Sequence, residues 1–175
     1  MSLLTQGITV ACTDESTRGG ISQVWVANRD DITSFTAGTN HDYNAVTMTS
    51  TAKVFFEIEF FDFTAQHTSE GELGDSGSSI KTDTLEMFVP LREAVKAKAI
   101  QELFTSCKVV VIYKTFNSGK MFTLGYDEVL LSKAALRVNV SEDTGKALNE
   151  QNGYTITFTG MSGEVTREFI DTIPV

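Results

Sequence analysis

Apolar and polar residues alternate along much of this 175-residue chain, the pattern expected for strands with one buried face. Residues 21–27 and 108–115 are short, apolar and rich in β-branched side chains, which favours buried strands. Turn residues separate the predicted strands at the spacing typical of sandwiches and barrels. Further strands are predicted at 45–49, 80–89, 121–126, the later half of 129–140, 154–158 and 165–170.

The strongest alternation lies in residues 53–63, which we interpret as one long strand. Its apolar face, predicted to face the core, carries Val54, Phe56, Ile58 and Phe60. Its other face is mixed and carries Phe55, Glu57, Glu59 and Phe61.

A polar, glycine-rich stretch follows at residues 64–79, with Leu73 alone in its middle. We predict a long loop here because of this composition. Loops of sixteen residues are uncommon in a compact domain and usually serve a function. After Pro90, an apolar stripe at helical spacing predicts one amphipathic helix over about residues 91–106. The predicted fold is mainly β: a sandwich or barrel of about eight to ten short strands, with this helix alongside, in one domain spanning residues 1–175.

Charge limits the partners that such a domain can bind. The net charge is −9, and an acidic surface repels the phosphates of nucleic acids. Specific DNA binding is therefore not expected, although DNA could slide past an acidic wall. Cys12 and Cys107 are expected to be buried thiols, with a bond between them left open. No signal peptide or membrane-spanning segment is predicted, so we expect synthesis in the cytoplasm.

Motifs that suggest enzymes are incomplete. The stretch 74–77 (GDSG) is similar to the nucleophile region of serine proteases, but a chain of this length cannot form their two barrels. The stretch 144–146 (TGK) lacks the rest of a phosphate-binding loop. His41 and His67 have no metal-ligand spacing, so we predict no metal site.

Two weaker alternatives involve the residues of 53–63. Glu57 and Glu59 lie on one strand face and could serve a glycosidase, but a charged outer surface is the simpler interpretation. Trp25 could form a sugar-binding platform with Phe55 and Phe61, but a core tryptophan is the simpler interpretation. We therefore predict no catalytic, cofactor-binding or metal-binding residue, and no cofactor.

The layout of several segments together resembles that of small tail and neck proteins of tailed bacteriophages, particularly tail-tube subunits. The segments are residues 18–21, 52–62, 91–104 and 109–126, and the stretch 144–157 (TGKALNEQNGYTIT). The resemblance implies a β-sandwich or barrel whose copies extend one sheet into a ring, with six subunits around a DNA channel. It also implies long loops that reach the next ring.

On that plan the protein would be a virion protein whose partners are copies of itself and other virion proteins. DNA would only pass through, and no membrane would be involved. Phe55, Phe61 and Leu73 are then the predicted subunit-interface residues, because they lie on the two-faced strand and in the long loop. A head–tail connector or a minor capsid protein is an alternative within the same class.

Two other classes stay open. A β-sandwich binding module for a carbohydrate or a surface protein would use exposed aromatic side chains such as Trp25. A hydrolase would use Glu57 and Glu59, or Ser76.

Overall fold

Two β-sheets and one α-helix form the described part of the chain. The computed structural model describes residues 19–73, 79–146 and 150–175, without the side chains of residues 72, 73, 131 and 132. Within these ranges eleven strands are present, so the mainly β fold with a sandwich and a single helix is confirmed. No helix among the described residues has the length and apolar character needed to cross a membrane.

Sheet A has seven strands. Neighbouring strands run antiparallel, except for one parallel pair, Asp42–Met48 with Arg167–Phe169. Its order is β2-β3-β11-β8-β7-β1-β4, where the strands are β1 (Ile21–Asn28), β2 (Ile32–Ala37), β3 (Asp42–Met48), β4 (Phe56–Glu57), β7 (Val109–Thr115), β8 (Met121–Leu124) and β11 (Arg167–Phe169). Short 3-10 turns lie at Arg29–Asp31 and Leu131–Ala134.

Sheet B has four strands and is antiparallel throughout. Its order is β5-β6-β10-β9, where the strands are β5 (Gln66–Leu73), β6 (Ser79–Pro90), β9 (Arg137–Asp143) and β10 (Gly153–Ser162). Helix α1 (Ala94–Thr105) follows β6, and its Ile100 packs into the core.

The main core lies between the two sheets. Alternate residues of β1, β6, β7 and β10 point into it, because successive side chains of a strand leave on opposite faces. The members that are almost fully buried include Val24, Leu85, Met87, Val109, Val111, Ile156 and Phe158. A layer of this kind between two sheets is the ordinary core of a sandwich.

A second core lies on the opposite face of sheet A. Here β1 contributes Trp25 and Ala27, and β7 contributes Val110 and Ile112. The remaining buried members are Ile32, Phe35, Tyr43, Phe55, Phe169 and Ile173. Strands β1 and β7 are thus buried on both faces, which explains why their sequences are nearly continuous apolar runs.

The prediction of one long strand at residues 53–63 is wrong. Only Phe56–Glu57 is a strand, because the backbone of this segment bonds to a series of partners and not to one ladder. Phe55 N–H donates to Pro174 (2.8 Å), Ile58 N–H to Val24 (2.9 Å) and Phe61 N–H to Phe88 (2.8 Å). The predicted faces also change: Phe55 is buried, whereas Phe56 is 68% exposed.

The predicted loop at residues 64–79 is also wrong. Residues 66–73 form β5, which pairs with β6 over its whole length. Strand β2 was not predicted, and β11, which lies within the predicted strand 165–170, joins sheet A between β8 and β3. The helix begins three residues later than predicted, since Leu91 has a left-handed backbone (φ 65°).

Cys107 is exposed after the helix, against expectation, and Cys12 lies outside the described residues.

A buried carboxylate fastens the turn after β8. Asp127 is fully buried, and its side chain accepts hydrogen bonds from the backbone N–H groups of Val129 (2.6 Å), Leu130 (3.0 Å) and Gly163 (2.6 Å). Burial alone would raise the pKa of Asp127, but these bonds outweigh it and the pKa is lowered. The turn is thereby tied to the connection between β10 and β11.

Burial in the second core predicts that two isoleucine-to-alanine substitutions lower the free energy of unfolding by very different amounts. We expect Ile112→Ala to lower the free energy of unfolding by about 2–5 kcal/mol, because it leaves a cavity on the face of sheet A away from sheet B. Ile170→Ala is the control, since Ile170 is 57% exposed and should cost well under half as much. Urea denaturation measures both. Equal losses would contradict burial of sheet A on both faces.

Candidate assembly surface

The outer face of sheet B is mostly polar and rich in hydroxyl groups. Because directly paired residues share a face, the registers of the four strands identify it completely within the described residues. Six threonines lie on it, together with a glutamate on β6 and a glutamate and an arginine on the two edge strands: Thr68, Thr82, Thr84, Thr155, Thr157, Thr159, Glu86, Glu70 and Arg137. It also carries Phe88 and two exposed apolar side chains, Ile80 (50% exposed) and Met161 (59% exposed). The inner face of the same strands carries the apolar core, so this surface faces away from the rest of the molecule.

Both edges of sheet B are open in the described residues. Strand β5 pairs only with β6, and β9 pairs only with β10. The two edges have eight and seven residues, so each presents a long row of unpaired backbone groups. Open edges of this length are templates for pairing with another strand.

Exposed aromatic rings lie beside the β5 edge. Phe61 is 50% exposed, and its N–H bond to Phe88 places it next to β6, just before β5 begins. Phe63 is 75% exposed with a left-handed backbone (φ 63°), and its ring centroid lies 5.4 Å from that of Phe116. A strained, exposed phenylalanine is costly unless another contact offsets it, so these rings suit a protein contact.

The three predicted interface residues have different outcomes. Phe61 is exposed beside an open edge, as an interface requires. Phe55 is 1% exposed and fills the second core, so it offers no surface to another subunit, and this placement corrects the prediction. The backbone of Leu73 ends β5 opposite Ser79, and its side chain lies outside the described residues.

A polar connection inside the sandwich fastens the β5 edge. The Tyr113 hydroxyl from sheet A lies 2.9 Å from His67 Nδ1 on β5, and His67 Nε2 lies 3.5 Å from Asp83 Oδ1 on β6. Burial and the Asp83 charge raise the pKa of Tyr113, so its hydroxyl keeps its proton.

Asp83 retains its charge despite being buried. Burial alone would raise the pKa of this carboxyl, but its contacts with His67 and Ser69 outweigh that effect, and the pKa lies below its ordinary value. The aspartate thus stabilises the histidine that links the two sheets.

Of the candidate catalytic residues, Glu57 and Glu59 line one groove beside α1, and neither histidine is among its described lining residues. Glu57 and Glu59 are both exposed, and Glu57 accepts a hydrogen bond from the Gln23 amide (3.1 Å). His41 Nε2 contacts the backbone oxygen of Val165 (2.7 Å), far in sequence from His67. The GDSG stretch that includes Ser76 lies in residues 74–78, outside the described residues. No cluster of three or more potential metal ligands occurs in the described ranges.

Trp25 is not available to bind a ligand. Its side chain is 8% exposed and belongs to the second core. The sugar-binding alternative therefore loses both Trp25 and Phe55, two of its three aromatic residues.

Comparison of the chain with models of protein families, with curated proteins and with solved structures found no match. Arguments about function consequently depend on the geometry described above.

The link between His67, Asp83 and Tyr113 was missed in the sequence. Residues 66–70 do alternate, with His67 and Ser69 pointing inward between exposed neighbours, but the inward residues are polar. Strands are predicted from apolar residues at every second position, and here those positions are polar. The sequence therefore contains no hydrophobic alternation that could identify β5.

Asp83→Asn should destabilise the protein in a pH-dependent way. At pH 7 we expect a loss of about 1–3 kcal/mol in the free energy of unfolding, because the neutral amide weakens the contacts with His67 and Ser69. The folded-state pKa of Asp83 is depressed, so its contribution is present above about pH 4 and is lost as pH falls through the folded pKa. The difference from wild type should therefore shrink between about pH 5 and pH 2 in chemical denaturation.

The exposed Asp62→Asn is the control and should change stability by less than about 0.5 kcal/mol throughout. A difference for Asp83→Asn that grows toward acid pH would contradict the depressed pKa.

Proposed function

We propose that this chain is a structural virion subunit that assembles with copies of itself into rings or a tube, as part of a bacteriophage tail. The tube would be a passive conduit for DNA, and no enzymatic step is involved. The observation that carries this function is sheet B, which combines two open edges with a polar outer face.

The directions of the edge strands support ring formation. In a fully antiparallel sheet of four strands, the first and the last run in opposite directions. The β5 of one copy can therefore pair antiparallel with the β9 of a neighbour that has the same orientation. Repetition of this head-to-tail contact closes a ring when the rotation between copies permits it, and sheet B becomes continuous around the ring.

The outer face of sheet B suits the lining of a DNA channel. Threonine hydroxyls offer only neutral contacts, and Glu70, Glu86 and Asp143 outnumber Arg137 among the charged side chains of this face. Such a wall repels phosphates weakly and gives DNA no site to bind, in keeping with the net charge of −9.

The side of the molecule that carries β5 is the proposed subunit boundary. Phe61 and Phe63 would be covered by the neighbour that pairs with β5, which offsets their exposure. The paired strands β5 and β6 occupy most of the predicted loop at residues 64–79, and residues 74–78 lie outside the described residues. A head–tail connector or a minor capsid protein could use the same contacts, but a continuous sheet around a channel favours the tube.

Phe61→Asp should weaken assembly, because it places a charge in the proposed boundary. We expect the concentration at which rings or tubes form, measured by light scattering and negative-stain electron microscopy, to rise at least about tenfold. Ile170→Asp is the control, since Ile170 is 57% exposed and follows β11 in sheet A, away from both edges of sheet B. Equal effects of the two substitutions would contradict a boundary at the β5 side.

The double variant Glu70→Lys and Glu86→Lys should convert the channel face into a DNA-binding surface. With Arg137 on the same face, it should retain duplex DNA at least about tenfold more tightly than wild type in filter binding at about 150 mM salt. Asp62→Lys with Asp171→Lys gives the same change in net charge at exposed positions and should bind less. Equal binding by both double variants would contradict a distinct channel face.

A further inference from the structure

The hydrogen bonds of sheet B identify the backbone groups that face its open edges. In an antiparallel ladder the N–H and C=O of one residue bond to the same neighbouring strand, and the next residue bonds to the opposite neighbour. On β6 the outward-pointing Phe88 faces the β5 side, since its N–H donates to Thr64 Oγ1 (3.3 Å) and its oxygen accepts from Phe61 N–H (2.8 Å). Outward-pointing residues of β6 therefore bond to β5, and inward-pointing residues bond to β10.

The same alternation continues to the two edge strands. The outward-pointing residues of β5 and β9 bond inside the sheet, so the backbone groups of their inward-pointing residues face the open edges. These residues are His67, Ser69, Gly71 and Leu73 on β5, and Val138, Val140 and Glu142 on β9. A neighbouring copy can bond to β5 only by bringing the three inward-pointing residues of β9 opposite those of β5.

Two registers place all three of these β9 residues opposite β5 and keep the outer face continuous. In the first register Val140 lies opposite Ser69, and in the second it lies opposite Gly71. A shift of two residues the other way leaves Glu142 opposite Ala65, before β5 begins, and forms fewer ladder bonds.

Charge on the outer face favours the first register. There Arg137 of one copy lies diagonally across the boundary from Glu70 of the next, a separation that long side chains can bridge. In the second register Arg137 passes beyond the end of β5 and loses this neighbour. Neither side chain has an ion pair within the described residues of its own copy, so both charges are available.

The geometry of a closed ring favours the same register. Within one copy Arg137 is level with Thr68, and the first register displaces the next copy by four residues, about 14 Å along the strands. Because four strands are about 19 Å wide, this displacement tilts the strands by about 35° from the ring axis. Closed barrels typically have tilts of about 35–45°, whereas the second register requires about 47°.

We propose that neighbouring copies pair in the first register, with Val140 of one copy opposite Ser69 of the next. The hydrogen-bonded pairs across the boundary are Val138 with Gly71, Val140 with Ser69 and Glu142 with His67. Each pair exchanges two backbone bonds, which gives about six bonds for each boundary. This register rests on the proposed function, since it assigns the residues through which β5 and β9 of two copies recognise each other.

Disulfide trapping between copies tests the register. In a background with Cys12→Ser and Cys107→Ser, Thr68→Cys combined with Ser141→Cys places two thiols directly opposite each other on the outer face. Such a pair is not hydrogen-bonded, and its Cα atoms lie about 4.5 Å apart, which suits a disulfide. Within one copy the two positions lie on opposite edges of sheet B, about 14 Å apart, so a disulfide can only join two copies.

The controls combine the same Thr68→Cys with Asn139→Cys or with Asp143→Cys. All these positions are exposed, and the control pairs are directly opposite only in registers shifted by two residues. In the proposed register they are diagonal, about 7–8 Å apart, which is too far for an unstrained disulfide. We expect covalent oligomers, measured by non-reducing electrophoresis, to form at least about tenfold faster in the Ser141→Cys variant than in either control.

Faster oligomer formation in a control, or rings in electron microscopy without disulfides in any of the three variants, would overturn the register and leave the proposed assembly standing. Monomers in electron microscopy for wild type and for all three variants would contradict the proposed function, and the register with it.

Discussion

The burial of β1 and β7 on both faces is the constraint on which the rest of the structure depends. Val24 and Val26 face sheet B, whereas Trp25 and Ala27 face the opposite side, so this strand serves two cores at once. A strand without a solvent face must be covered on both sides. Sheet B and α1 cover one side, and the side chains of β2, β3, β11 and the segments around Phe55 and Ile173 cover the other. Sheet B, being covered on one face only, is the sheet left with a polar outer surface.

This division explains which parts of the fold could be predicted. Strands β1 and β7 were predicted from nearly continuous apolar runs, and β10 was predicted from strict alternation of apolar and polar residues. The segment around Phe55 was misinterpreted because its phenylalanines serve different environments: Phe55 is in the second core and Phe56 is exposed. Strand β5 was missed because its inward residue His67 is polar. Of the candidate site, the exposure of Phe61 was foreseen, whereas the two open edges depend on strand order, which no local pattern encodes.

The features of sheet B support assembly only in combination. An open edge alone is a liability that proteins normally protect, and a polar face alone is an ordinary solvent surface. Two opposed open edges on a sheet with a hydroxyl-rich face are the combination that the proposed ring and channel require. The link from Tyr113 through His67 to Asp83 holds the β5 edge against both sheets, which favours a rigid pairing surface. Rigidity of this kind lowers the entropic cost of association.

Cryo-electron microscopy of the assembled protein tests the central claim most directly. The account predicts a closed ring in which β5 of each copy pairs antiparallel with β9 of the next, with Thr84, Thr157 and Glu86 lining the channel. An assembly in which the outer face of sheet B points away from the axis would contradict it. A 19.2 kDa monomer at every concentration and salt condition would contradict it as well.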